Sequence, residues 1–210
     1  MFVTFEGLDG SGKTTQIQRA AAYLRAEGHD VLLTREPGGT AIGDQIRAIL
    51  HDLGNAEMHP RAELLLYNAS RAQLVAQVLR PHIEAGGLVL CDRFYDSTLA
   101  YQGYGHGLDL DALRAVVTFA TGGLRPDLTI LLDITPEEGL RRRRQASLFG
   151  EEWNRLDDMA LDFHRRVYSG YHALAQAEPA RWAIVDASGS PEDVTAKVRA
   201  LLAARIPARA

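Results

Sequence analysis

Apolar residues along this chain fall in five short runs separated by longer stretches of helical period. The runs are Phe2-Val3-Thr4-Phe5, Val31-Leu32-Leu33-Thr34, Leu88-Val89-Leu90-Cys91, Leu128-Thr129-Ile130-Leu131-Leu132 and Trp182-Ala183-Ile184-Val185. Several are apolar throughout rather than alternating, which is the pattern of strands covered on both faces. The intervening stretches read as helices. Residues 13–27 place Ile17, Ala20, Ala21 and Leu24 on one face and stop at Gly28. Ile42, Ile46, Ile49, Leu50 and Leu53 repeat the spacing, and residues 60–84 carry it further through Leu64, Leu65, Ala69, Ala72, Val75, Val78 and Leu79, with Pro81 ending or kinking the helix. Asp109 and Asp111 open another helix. Thr135-Pro136-Glu137-Glu138 and Ser190-Pro191-Glu192-Asp193 each combine a capping side chain, a proline at the first helical position and acids in the first turn. Residues 145–153, with Gly150 and no sustained period, are predicted to form a mobile loop between two helices. Strands alternating with helices predict an α/β fold on a parallel sheet, and neither a repeat nor a flexible linker divides it.

Composition agrees with this picture. The chain has 210 residues, of which 46% are hydrophobic and 24% charged, a length suited to one domain. Its 23 Lys and Arg against 27 Asp and Glu leave a net charge of −4, which provides no global field for a nucleic-acid polymer or an anionic membrane. Any bound anion is therefore expected at a local site. Cys91 has no cysteine partner, the first residues lack the pattern of a secretory signal, and no apolar stretch has the length of a membrane span, so a cytoplasmic protein is expected.

The first strand runs into Gly7-Leu8-Asp9-Gly10-Ser11-Gly12-Lys13-Thr14, which fits G-x-x-x-x-G-K-[ST] between a predicted strand and a predicted helix. Glycines there let backbone N–H groups turn around a polyphosphate, and the helix that follows presents its positive end. Lys13 is placed to reach the β- and γ-phosphates, and the Thr14 hydroxyl to ligate Mg²⁺. Motors, switches and kinases share this cradle. The guanine-reading string Asn-Lys-x-Asp is absent from the sequence.

Other segments at the ends of predicted strands supply cations and polar groups. They are Arg35-Glu36-Pro37-Gly38-Gly39 with Arg47 beyond it, Tyr67 and Arg71 one turn apart, Asp92-Arg93 with Thr98 and Tyr101-Gln102-Gly103, and Arg141-Arg142-Arg143-Arg144 with Arg155. Together with Phe5-Glu6-Gly7, Ala69-Ser70-Arg71 and the run from Pro126 to Asp133, these segments resemble the thymidylate kinase family almost from end to end. The resemblance implies a three-layer P-loop NTPase fold with a five-stranded parallel sheet, helices on both faces and a mobile lid, here at about 141–156. It implies ATP and Mg²⁺ as cosubstrate and cofactor, dTMP as acceptor, a place in dTTP biosynthesis, and a homodimer.

Residue by residue, the resemblance assigns Gly7, Leu8, Asp9, Gly10, Ser11, Gly12, Lys13, Thr14 and Thr15 to the nucleotide. Arg47 falls where the family holds the dTMP phosphate, and Tyr67 where an aromatic, usually phenylalanine, stacks on thymine. Arg71 and Gln102 fall at the base edge, Tyr101 against the 2′ position of the sugar, and Thr98 and Asp9 along the nucleotide, with Asp9 also orienting Arg93. Thr14 and Asp92 are the expected metal side chains. The catalytic set is Lys13, Arg93, Asp9 and the lid arginines Arg142 and Arg144, with Arg142 also stacking on adenine. Four consecutive arginines cannot share one helix face at about 100° per residue, so only one or two of them point inward. Asp186-Ala187-Ser188 lies where the family forms its adenine pocket. Rival readings are a deoxynucleoside kinase, for which Glu36 is the one obvious carboxylate base, another nucleoside monophosphate kinase, and a nucleotide-dependent switch.

Overall fold

The computed structural model describes residues 1–148 and 153–206. Five strands, β1 (Phe2–Glu6), β2 (Val31–Arg35), β3 (Leu88–Asp92), β4 (Leu128–Asp133) and β5 (Trp182–Asp186), pair in parallel in the order β2-β3-β1-β4-β5. Each strand runs one residue past the apolar run that predicted it, and in every case the added residue is charged: Glu6, Arg35, Asp92, Asp133 and Asp186. All five sit at the carboxyl ends of the strands, the edge along which open α/β sheets bind ligands.

Successive strand residues serve opposite faces. Val3, Phe5, Leu88, Leu90, Ile130 and Leu132 pack under α1 (Lys13–Ala26) and α9 (Pro191–Arg205) with Ile17, Leu24, Val198 and Leu202. Phe2, Val89, Cys91 and Leu131 pack on the other face with Leu74, Phe94, Phe163, Val167 and Tyr171. Burial on both faces accounts for the uninterrupted apolar runs. Polar strand residues on this second face find partners: Thr4 Oγ1 lies 3.0 Å from Thr129 Oγ1, which also accepts from Arg181.

The expected caps form. Thr135 accepts from Glu138 N at the start of α7 (Pro136–Ser147), Ser190 from Asp193 N, and Asp109 from Ala112 N at the start of α6 (Leu110–Thr121). Thr40 does the same for α2 (Ala41–His51). The stretch 60–84 is helical throughout, but in three parts: α3 (Pro60–Leu74), a wider turn over Val75–Leu79, and α4 (Arg80–Glu84). In the wide turn Arg80 N–H donates to Val75 O, five residues back, just before Pro81, which has no N–H to donate. A second wide turn, Leu99–Gly105, extends the short helix α5 (Tyr95–Thr98) and carries Tyr101 and Gln102; periodicity gives no sign of this element.

The loop expected over 145–153 begins later. Helix α7 continues to Ser147, supported by Arg141 Nη1 donating to Gln145 Oε1 and Ser147 Oγ donating to Arg144 O. Phe149 and Gly150, part of the expected lid, lie outside the described residues, and α8 (Leu161–Ala177) follows. Among the described residues no helix is long and apolar enough to cross a membrane.

Candidate active site

The strand order leaves a cleft at the carboxyl ends of β1 and β3, with a cavity of about 1000 Å³. Its floor is the loop between β1 and α1. Gly10 and Gly12 adopt φ of 81° and 88°, a left-handed conformation that glycine adopts without the Cβ penalty. A Cβ on Gly10 would lie 2.4 Å from Gly139 O of α7, whereas one on Gly12 would meet nothing within 4 Å. The loop is thus pressed against α7 on one side and open to the cavity on the other. Helix α1 has neither a side-chain cap nor an acid in its first turn, unlike α2, α7 and α9, so its positive end is left for an anion in the cavity.

Lys13 is buried and donates to Gly7 O and Leu8 O at 3.1 and 2.9 Å. Burial and the Arg93 charge lower its pKa. Thr14 Oγ1 donates to Asp92 Oδ2 at 3.2 Å, and both residues line the cavity. Two hard oxygen donors at that spacing, with room for phosphate oxygens and waters, fit Mg²⁺, which rarely takes an all-protein cage. Among the described residues no group of three or more His, Cys, Asp or Glu is placed to hold a metal ion.

Arg93 is the one non-glycine residue described with positive φ, at 68°. Such a conformation costs on the order of 1 kcal/mol, and a dense set of contacts holds it. Its Nη2 donates to Asp9 Oδ1 at 2.7 Å and Tyr101 OH at 3.3 Å; its Nη1 donates to Ser97 Oγ and Tyr171 OH. Beneath it Glu6, wholly buried, accepts from Phe94 N, Ser97 Oγ and Tyr171 OH. Burial, then Asp96, pushes the Glu6 carboxyl up to about 7. Burial also acts to raise Asp9, but Arg93 and then Lys13 outweigh it and hold that carboxyl well below its usual range.

The cavity continues away from the floor between α2, α3 and the wide turn after α5. Arg47, Tyr67, Thr98, Tyr101 and Gln102 line it here, as the sequence predicts. Arg71 does not. It is 1% exposed, and its guanidinium donates to Glu36 Oε2 at 2.8 Å, Asn68 Oδ1 at 2.9 Å, Thr98 Oγ1 at 3.0 Å and Phe94 O at 3.3 Å. Arg71 therefore stands behind the wall and braces Glu36 and Thr98, which do line the cavity. Burial, opposed by Arg71, pushes Glu36 up to about 7, and its Oε1 is buried without a hydrogen-bond partner.

At the lid, Arg142 lines the cavity as expected, donating to Glu138 and to Ala187 O and Ser188 O, both at 3.0 Å. The second expected lid arginine does not: Arg144 is exposed and outside the cavity lining, and Arg143 lines it instead. Arg143 is clasped to Asp157 at 3.0 to 3.2 Å, which ties α7 to the segment after the lid. Reading alternate arginines from a family pattern selected Arg144, whereas the helix turn places its neighbour inward. Gly7, Leu8 and Ser11 shape the floor from behind the lining. Glu63 was not singled out by the sequence, and Glu6, Glu36 and Arg143, which stand in segments that were, take their places only once the elements pack.

A cradle for polyphosphate thus faces a pocket with an aromatic ring, an amide and an arginine, with Arg93 between them. The family model described as thymidylate kinase matches residues 5–198. The chain belongs to the thymidylate kinase family. A thymidylate kinase of Desulfovibrio desulfuricans is 54% identical over 213 residues, covering 100% of this chain and 98% of that protein, and one of Geobacter sulfurreducens is 50% identical over 211 residues, covering 99% of each. The crystal structure of thymidylate kinase from Ehrlichia chaffeensis superposes with a TM-score of 0.77 at 31% identity over 96% of this chain and 98% of that one. Coverage from end to end extends the P-loop NTPase fold of thymidylate kinases to all five strands.

Proposed function

We propose that this chain transfers the γ-phosphoryl group of ATP to dTMP, giving ADP and dTDP. The observation that carries this reading is the position of Arg93, fixed by Asp9, Ser97 and Tyr171 between the phosphate cradle and the pocket lined by Arg47, Tyr67 and Gln102. A phosphate oxygen of dTMP attacks the γ-phosphorus, and the bond from that phosphorus to the bridging oxygen of ADP breaks. The acceptor is already an anion, so no general base is needed, and the protein's task is to align two anions and offset the charge on the transferring group. Thr14 and Asp92 would hold Mg²⁺, which would supply positive charge to offset that of the donor phosphates.

Lys13 and the N–H groups from Asp9 to Thr15 hold the donor phosphates. Arg93 bridges donor and acceptor, and Asp9 keeps it in place. Arg47 holds the dTMP phosphate, Tyr67 stacks on thymine, Gln102 reads the base edge, and Tyr101 crowds the 2′ position. Arg142, spanning two backbone carbonyls after β5, packs on adenine. Arg71 acts through Glu36 and Thr98, and Arg143, facing the cavity, takes the lid position expected of Arg144.

The chain works as one domain with its lid at about 141–156, in the cytoplasm, and pairs with a second copy of itself. Phe119 is 91% exposed on α6, and Leu65 and Ile42 are exposed on the neighbouring helices α3 and α2, an apolar set that a dimer would cover. Sedimentation at twice the mass of one chain is expected; a single-chain mass at micromolar concentration counts against pairing. Lys13→Ala and Arg93→Ala are each expected to lower turnover by orders of magnitude while far-ultraviolet circular dichroism stays native. Near-normal turnover in both would refute the assignment of this cavity.

A further inference from the structure

The first turn of α3 holds a carboxylate that its position in an exposed helix start does not explain. Glu63 is fully buried, its Oε1 accepts from Gln102 Nε2 at 2.5 Å, and its Oε2 is paired with Arg155, from the last residues of the lid segment. His106 Nε2 lies 3.3 Å from Oε1. Two donors from separate parts of the chain, Gln102 on the wide turn after α5 and Arg155 some fifty residues on, therefore converge on one acid, with His106 beside them. Burial acts to raise its pKa, but His106 and Arg155 outweigh it and keep the carboxyl below its ordinary value.

An ionised carboxylate only accepts hydrogen bonds, so it selects one end of the Gln102 amide. The nitrogen faces Glu63, and the carbonyl oxygen is turned away, with no hydrogen bond to it among the described residues, while Gln102 lines the cavity. A carbonyl oxygen presented there accepts from the ring N–H of thymine. Against cytosine it would meet the lone pair of an unprotonated ring nitrogen, and an unmatched buried polar pair costs roughly 1–3 kcal/mol.

We propose that Glu63 is a positioning residue that sets the base specificity of the acceptor site by holding the Gln102 amide in a single orientation. The proposal rests on the reading of this cavity as the dTMP site. In Glu63→Gln the donor-only Arg155 takes the new amide's oxygen, which turns its NH₂ toward Gln102. Gln102 then rotates, offering its oxygen to residue 63 and its NH₂ to the cavity, where cytosine is accepted and thymine is not.

Steady-state kinetics of Glu63→Gln with dTMP and dCMP test this. The KM for dTMP is expected to rise about tenfold, the ratio of kcat/KM for dCMP over dTMP to rise at least tenfold, and the KM for ATP to stay within about twofold. In Glu63→Asp the acceptor-only character is kept, and the ratio is expected to remain that of the unmodified protein even if turnover falls. If Glu63→Gln does not fold, Glu63→Leu/Arg155→Leu replaces the buried charges by an apolar pair, strands no charge and removes the acceptor, and it is expected to relax the ratio in the same direction. An unchanged ratio in either acceptor-less protein, or an equal shift in Glu63→Asp, overturns the proposal while leaving dTMP phosphorylation standing. Absence of dTMP turnover in the unmodified protein would instead overturn the functional reading beneath it.

Discussion

Glu6 shows how much of the site depends on single residues beneath the cavity. It touches neither side of the cleft, yet its carboxyl fixes Phe94 N, Ser97 and Tyr171, and the last two hold Arg93. Its pKa of about 7 in the folded protein, against an ordinary 4.5, means that the folded chain keeps a proton that the unfolded chain has released. Between those values the folded state binds more protons, so stability falls as pH rises from about 4.5 to about 7 and this contribution is gone above that window. Glu36 acts in the same direction. Glu6→Gln copies the protonated acid, with its oxygen toward Phe94 N and its NH₂ toward Ser97 and Tyr171. The decline in Tm from pH 5 to pH 7 is expected to shrink by several degrees in this variant, corresponding to up to about 3 kcal/mol. An unchanged pH dependence of Tm would show that Glu6 is ionised throughout. Residues on a known motif, such as Lys13 or Arg93, were legible in the sequence because their role follows from type and spacing. Glu63 was not, and the buried roles of Glu6 and Glu36 were not either, although both stand in segments the sequence singled out and Glu36 was weighed as a base, because what surrounds a glutamate is decided by packing.

Elements were legible where periodicity or capping marks them and obscure where the backbone departs from regular hydrogen bonding. The caps at Thr135 and Ser190 form as expected, since a hydroxyl accepting from the third residue on is a local interaction. The two wide turns, Val75–Leu79 and Leu99–Gly105, are set by tertiary packing and by the proline at 81, and the second of them was not anticipated although it aims Gln102 into the site. Strand ends were missed by one residue for a related reason: a charge after an apolar run reads as loop, yet the ladder continues to where the cleft needs that charge. Contact between the phosphate loop and α7 is the most consequential pairing of elements. A Cβ on Gly139 would lie 2.8 Å from Asp9 O, so Gly139→Ala forces the loop or the helix to move. The KM for ATP is expected to rise about tenfold, with a loss of about 1–3 kcal/mol in stability measured by denaturant melts. An unaltered KM for ATP would mean that the loop tolerates displacement from α7.

Taken as a whole molecule, the chain carries a net charge of −4 yet lines its cavity with Lys13, Arg35, Arg47, Arg93, Arg142 and Arg143. The sequence foretold this concentration of positive charge, although Arg71 and Arg144 stand elsewhere and Arg35 and Arg143 take places in the lining. Fold class and the parallel pairing of strands were legible because buried parallel strands leave a distinctive apolar signature, whereas the ion pairs of Lys13, Arg71, Arg93, Arg142, Arg143 and Arg155 are decided only by three-dimensional proximity. The most direct test of the account is ADP release from ATP and Mg²⁺ with thymidine, dTMP, dUMP, dCMP or AMP as acceptor. Rapid release with dTMP, weak release with dUMP and essentially none with the others is the expected result. Release with thymidine in place of dTMP, or slow release indifferent to the acceptor, would contradict it.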